Sequence, residues 1–261
     1  MRRIWWILCM GLAAPVWAQT AWLLGELHDQ PEHQRQAELI VHELAAQGRL
    51  WALVLEMAER GRQTQGLPPE ATEAQVRQAL AWQDAAWPWA AYGPVVMAAV
   101  RAGATVYGGN LPRPRLREAM SQPEWEASVP AAAHRRLLAA VHDGHCGLVS
   151  QAQLPALVRM QIARDDALAA TVAAAAHGAA PEAVVLLLTG AVHASRATGV
   201  PLHLPRHAPA LRLRTTAFVP EGAMPPEGFD EVRITPAGPS RDHCAELRAR
   251  GMPAITPPAS R

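Results

Sequence analysis

The chain has 261 residues, half of them hydrophobic, and 24 basic against 23 acidic side chains give it a formal net charge of +1. All of the basic side chains are arginine, so lysine Schiff-base chemistry and a phosphate-loop lysine are excluded. The near-neutral balance argues against nucleic acid as a partner, which calls for a basic face.

The first expected element is a secretory signal. Arg2 and Arg3 precede the apolar run Ile4–Leu12, and Val16 and Ala18 occupy the small-residue positions before a cut. The run is short for a permanent span, which needs about 20 apolar residues. Residues 1–18 are therefore read as a cleavable signal, with the mature chain beginning at Gln19 in the periplasm. The polar residues usual around a twin-arginine pair are missing, and Cys9 lies inside the apolar run, which does not suit a lipoprotein cysteine. Cleavage leaves 22 Arg against 23 acids and only two cysteines, Cys146 and Cys244. In an oxidising compartment these form a candidate disulfide.

Strand-like and helix-like segments then alternate, which predicts an α/β fold: a mostly parallel sheet flanked by helices. Ala21–Gly25 is a buried strand. Asp29 with Glu32 resembles a capping box for a helix over 30–47, which Gly48 stops. Trp51–Glu56 is the second strand, followed by a helix near 70–80. The segment 82–94 holds Trp82, Trp87, Trp89 and Tyr92; it leads into a helix over 94–102 and a third strand over 104–108. Residues of about 113–180 read as a helical insert, in which Ser150 with Gln153 is a second capping box opening a helix to about 176. Strands follow at 182–189, 211–219 and 231–235. The α/β domain thus spans 19–219, and the proline-rich segment 220–261 is expected to be partly disordered.

Polar residues recur where the strands end: Glu26 and His28 after the first, Glu56 on the second, Asn110 after the third, His193 after the fourth. In an open parallel sheet these ends share one edge, where ligands bind. Two imidazoles and two carboxylates at one point are metal-ligand types or an acid/base set. The competing reading is that the acids and Asn110 cap helices, which imidazoles do not favour. On the helix after Ser150, Gln161 and Asp165 interrupt an apolar stripe of Leu154, Val158, Leu168 and Val172. A carboxylate there needs a partner, for which Arg164 or a ligand is the candidate, or else it is a buried structural hydrogen bond. His145-Cys146-Gly147 lacks a nearby second cysteine, so a zinc CxxC site fails and the disulfide is preferred to a thiol nucleophile or haem ligand. The aromatic segment is either plain core or a wall for a flat ligand such as porphyrin, with Tyr92 able to ligate ferric iron. The remaining histidines, His33 and His243 among them, show no convincing spacing.

At these residues the chain resembles the ChaN-like haem-binding uptake proteins of the Tiki superfamily. The matching pieces are Leu24–Asp29, Glu56, Trp87-Pro88-Trp89 with Tyr92 and Pro94, Asn110–Arg113, His145–Gly147, Gln161 with Arg164-Asp165, Thr189–His193 and Gly199–Pro201, with Asp242–Cys244 in the tail. The resemblance covers about 21–219 plus that tail. It implies a periplasmic haem-binding protein of iron or haem uptake or handling, haem held between the subunits of a homodimer, and an outer-membrane haem receptor system as partner. On this reading Trp87, Trp89 and Tyr92 wall the porphyrin, Tyr92 or else His145 ligates the iron, and Arg113 and Arg164 are candidates for the propionates. The resemblance also implies shared descent with metal-dependent hydrolases. The alternative function is therefore hydrolysis with Glu26, His28, Glu56 and His193 as catalytic set, in which His28, His193 and Glu26 hold manganese, cobalt or zinc.

Overall fold

The computed structural model describes residues 19–239 and 242–250, so the expected signal over 1–18 lies outside the described residues, as does much of the tail. The first half of the chain lays down β1 (Thr20–Glu26), α1 (Pro31–Ala46), β2 (Leu50–Glu59), α2 (Glu73–Ala79), α3 (Trp89–Arg101) and β3 (Thr105–Asn110). Four helices intervene before the next strand: α4 (Arg113–Ala119), α5 (Glu124–Ala127), α6 (Ala131–Gly144) and α7 (Leu154–Ala175). The chain closes with β4 (Val184–Gly190), α8 (Ala191–Ala194), α9 (Leu204–His207), β5 (Arg212–Pro220), β6 (Glu231–Thr235) and α10 (His243–Arg250). The strands form one sheet in the order β3-β2-β4-β1-β5-β6, and every pairing is parallel. Among the described residues no helix is long and apolar enough to cross a membrane.

A strand places successive side chains on opposite faces. Trp22, Leu24, Leu53, Leu55, Leu186 and Leu188 accordingly face α1 and α3 in one core layer. Ala21, Leu23, Ala52, Val54, Val185 and Leu187 face α7 in the other. Both faces are covered, so the strands read as apolar runs rather than alternating ones. A third cluster joins α6 to the first half of α7 through Leu137, Val141, Leu157, Val158 and Ile162.

Three local expectations need correction. Asp29 does not cap α1: the N-cap is Gln30 without a side-chain bond, and Pro31 opens the helix. Helix α3 begins at Trp89 rather than Pro94, because Asp84 Oδ1 accepts the Trp89 amide at 2.7 Å and caps the first turn from five residues back. Helix α7 begins at Leu154; Gln153 Oε1 accepts from the Ser150 backbone and hydroxyl, which makes a turn before the helix.

Candidate functional site

The carboxyl ends of β2, β4 and β1 lie side by side at the centre of the sheet, and Glu26 pairs in register with Gly190. Strand parity divides the polar residues between the two faces. Glu26 continues the Trp22-Leu24 row and points toward α1 and α3; there it accepts hydrogen bonds from Gln34 and, at 2.8 Å, from the Tyr92 hydroxyl. Glu56 continues the Ala52-Val54 row and points toward α7; its Oε2 accepts from the Thr189 hydroxyl at 2.6 Å and the Gly190 amide at 3.0 Å. Arg164 Nη1 approaches Glu56 Oε1 at 3.3 Å and also donates to Gln161.

The two imidazoles meet over the edge between these half-sites. His28 donates Nδ1–H to Glu26 at 2.8 Å, and His193 donates Nδ1–H to Asp165 at 2.6 Å. His193 Nε2 lies 3.6 Å from Glu56. Gly190 makes the approach possible: a Cβ there would stand 3.1 Å from His28 Nε2 and 3.6 Å from His193 Cδ2. The structure thus brings Glu26, His28, Glu56 and His193 to one place. The partner of Asp165 is His193 rather than Arg164.

Burial works against every charge here, and partners decide the outcome. It opposes ionisation of Glu56, but the His193, Arg164 and His28 charges and the Gly190 amide hold its carboxyl well below the carboxylate range. It opposes His193⁺, yet Asp165 and Glu56 raise that imidazole; burial is opposed at His28 by Glu26 and Glu56, with the same upward result. Burial pushes Asp165 up to about 6. Desolvation and the Glu26 charge push the Tyr92 phenol far up, so it remains a donor.

An open cleft of about 580 Å³ lies against this edge, within the ordinary range of about 300–1,000 Å³ for small-molecule sites. His28, His145, His193 and His243 line it together with Leu27, Ala140, Val141, Ala191 and Val192. Leu27 and Val192 are 43% and 41% exposed. A smaller apolar recess adjoins it, shares Ala140, Ala191 and Val192, and has Arg136 in its lining.

Several expected site residues lie elsewhere. Tyr92 is 1% exposed, buried beneath the site with its hydroxyl on Glu26, so it presents neither a wall nor a phenolate to the cleft. Trp89 is buried and donates Nε1–H to Glu73. Trp87 is set edge-on behind His28 at 4.8 Å between ring centroids; it backs that imidazole rather than lining the cleft. Asn110 donates to the Glu56 carbonyl and ties the end of β3 to β2. Arg164 is turned inward onto Glu56, and Arg113 is outside the cleft lining. Cys146 and Cys244 are disulfide-bonded, with 5.6 Å between Cα atoms.

Nothing in the sequence singled out Gln34 or His33, and Thr189 and His243 stood only within the pieces that carry the family resemblance, with no site role. His33 Nδ1 accepts the Leu27 amide at 2.9 Å and pins the loop that carries His28. The signals for His243 were its place in the matching piece Asp242–Cys244 and beside a cysteine expected to pair.

The donor set does not suit a divalent metal. Among the described residues no group of three or more His, Cys, Asp or Glu side chains is arranged to hold one. Both carboxylates are occupied: Glu26 by His28, Tyr92 and Gln34, and Glu56 by Thr189, Gly190 and Arg164. The expected metal site at Glu26, His28 and His193 finds no support in this arrangement. Haem fits better: the cleft offers apolar walls, an open mouth and imidazole nitrogens at its rim.

A family model described as haem-binding uptake, Tiki superfamily, ChaN, matches residues 13–204. Among solved structures, one described as cofacial haem binding to ChaN of Campylobacter jejuni is similar at 22% identity and a TM-score of 0.66, over 83% of this chain and 87% of that one. The structure of the type III effector HopBA1 is similar at 13% identity and a TM-score of 0.50, over 84% of this chain and 88% of that one. At these identities the likeness is one of fold. No curated protein matches the chain.

Proposed function

The chain belongs to the ChaN family of haem-binding uptake proteins in the Tiki superfamily, and from that premise we propose that it is an exported, periplasmic haem carrier of iron or haem uptake. The observation that carries the reading is the cleft itself, an apolar surface that opens to solvent with imidazoles along its rim. Haem is large, flat and mostly apolar, and it supplies an iron centre able to take imidazole ligands. Leu27, Ala140, Ala191 and Val192 would meet the porphyrin face. Arg136, in the lining of the adjoining recess, would meet a propionate, since the acid it pairs with, Glu227, is 3.5 Å away and highly exposed. A cleft this open leaves one porphyrin face in water. A second copy of the chain would cover it, which supports a homodimer. An outer-membrane haem receptor system remains the proposed source of the cargo.

Titration of the purified protein with haem is expected to give saturable binding in the micromolar range or tighter, with a shifted Soret band. Arg136→Ala should weaken binding without moving the band. Absence of saturable binding by the unaltered protein sinks the reading.

The alternative, a hydrolase, is supported by one arrangement: His28 and His193 each have Nδ1 oriented by a carboxylate, the geometry of a general base. A colourless protein that fails to bind haem and hydrolyses esters or peptides in a His193-dependent way would favour it.

A further inference from the structure

The rim of the cleft is built from two parts of the chain that are far apart in sequence. His145 is the C-cap of α6, and His243 is the first residue of α10. The bridge joins the residues next to them, Cys146 and Cys244, and His243 Nε2 reaches the Gly144 carbonyl at 3.4 Å. Both imidazoles line the same cleft. The span matched by the family model ends at residue 204, so α10 and His243 lie outside anything it assigns.

The four imidazoles at the cleft are not equivalent as ligands. His193 directs Nε2 at the Glu56 carboxylate, and His28 is packed against Gly190 with Trp87 behind it. His145 differs. Its Nδ1 lies 2.7 Å from the Val141 carbonyl, which can only accept, so Nδ1 carries the proton. The lone pair of neutral His145 therefore sits on Nε2, and no hydrogen bond among the described residues engages that nitrogen. A backbone carbonyl on one ring nitrogen is also how a metal-binding imidazole is oriented.

We propose that His145 is the residue that ligates haem iron through Nε2, and that His243, brought over the cleft by the Cys146–Cys244 bridge, is the second rim imidazole that holds the bound haem. This rests on the haem reading above and assigns its ligands. The bridge is essential to the arrangement because α10 spans only His243–Arg250. A helix so short is not stable by itself, since isolated helices need about 12–15 residues even to be marginal. Without the covalent link His243 would leave the rim, and its high effective concentration there would be lost.

The test is haem titration of the full mature chain, followed in the Soret region, for the unaltered protein and for His145→Ala, His243→Ala, the double variant Cys146→Ser/Cys244→Ser, and the last two combined. Circular dichroism confirms that each is folded. His145→Ala is expected to shift the Soret band and weaken binding at least about tenfold, as loss of a metal-site residue does. Added imidazole should restore the band. His243→Ala and the serine double variant should each weaken binding by a similar factor, and their combination should be no worse than either alone. An unchanged band in His145→Ala, or a serine double variant that loses affinity while His243→Ala does not, overturns the assignment and leaves the haem reading standing. If the unaltered protein itself fails to bind haem, both fall.

Discussion

His28 and His33 are separated by one turn and a loop, yet the protein treats their charges oppositely. His28 gains a proton partner in Glu26, whereas His33 is sealed in the core and burial lowers it to about 4 despite the Asp29 and Glu32 charges. Its Nδ1 must stay unprotonated to accept the Leu27 amide. A depressed histidine contributes stability that is present above its ordinary value of 6.5 and is lost as pH falls toward about 4. His203 is likewise lowered to about 4 by burial and the Arg206 charge, so it adds loss of the same sign. Each can account for up to about 3 kcal/mol across that window. Thermal unfolding followed from neutral pH to about 4 should show this loss, and His33→Asn, which keeps an acceptor near Nδ1 but cannot protonate, should reduce it. Glu56 makes a second case. Glu56→Ala would leave Arg164 unpaired and the Thr189 and Gly190 donors unmet, a loss on the order of 3–5 kcal/mol in denaturant unfolding, with Glu56→Gln costing less. Glu26, His28, Glu56 and His193 were legible because strand ends are legible. Gln34 and Tyr92 were not, because their roles depend on which face of the sheet Glu26 points to, and parity is known only once the register is fixed.

At the scale of elements, apolar runs announced the central strands β1, β2 and β4, because a parallel sheet covered on both faces has little polar interruption there, whereas the edge strand β6 alternates between half-buried and exposed positions up to Thr235. Boundaries were less legible where a cap comes from outside the segment, as Asp84 does for α3. The aromatic segment was misleading in a particular way: Trp82, Trp89 and Tyr92 pack against one another at 5.1 Å and 6.1 Å from Trp82, and so they build core rather than a ligand face. The turn after α8 matched the family at Gly199–Pro201, but the sequence did not say why a glycine stands there. A Cβ on Gly199 would fall 2.0 Å from the His193 carbonyl oxygen, a backbone atom that cannot yield without displacing His193. Gly199→Ala is therefore expected to lower the melting temperature and to disturb the Asp165–His193 pair, visible as a shifted imidazole resonance.

Over the whole molecule, the disulfide closes a loop between residues 98 apart in sequence. A link of that length constrains the unfolded chain by at most about 4–5 kcal/mol, and denaturant unfolding with and without a thiol reductant should read a difference up to that size. The pairing was legible because Cys9 lies in the apolar N-terminal run, which leaves Cys146 and Cys244 as the two candidates. That the bridge also delivers a histidine to the cleft was not, since distance across a fold is not written in spacing. The sheet order carries a kinetic consequence. Strand β1 has no early partner: Thr20 pairs with Val184 on one side and Arg212 on the other. The centre of the sheet cannot close until nearly the whole chain is available, and contacts so distant in sequence slow folding. The strand that the chain makes first is therefore the one whose neighbours arrive last, since β1 waits for both β4 and β5. Refolding from denaturant is accordingly expected to be slow for a protein of this size.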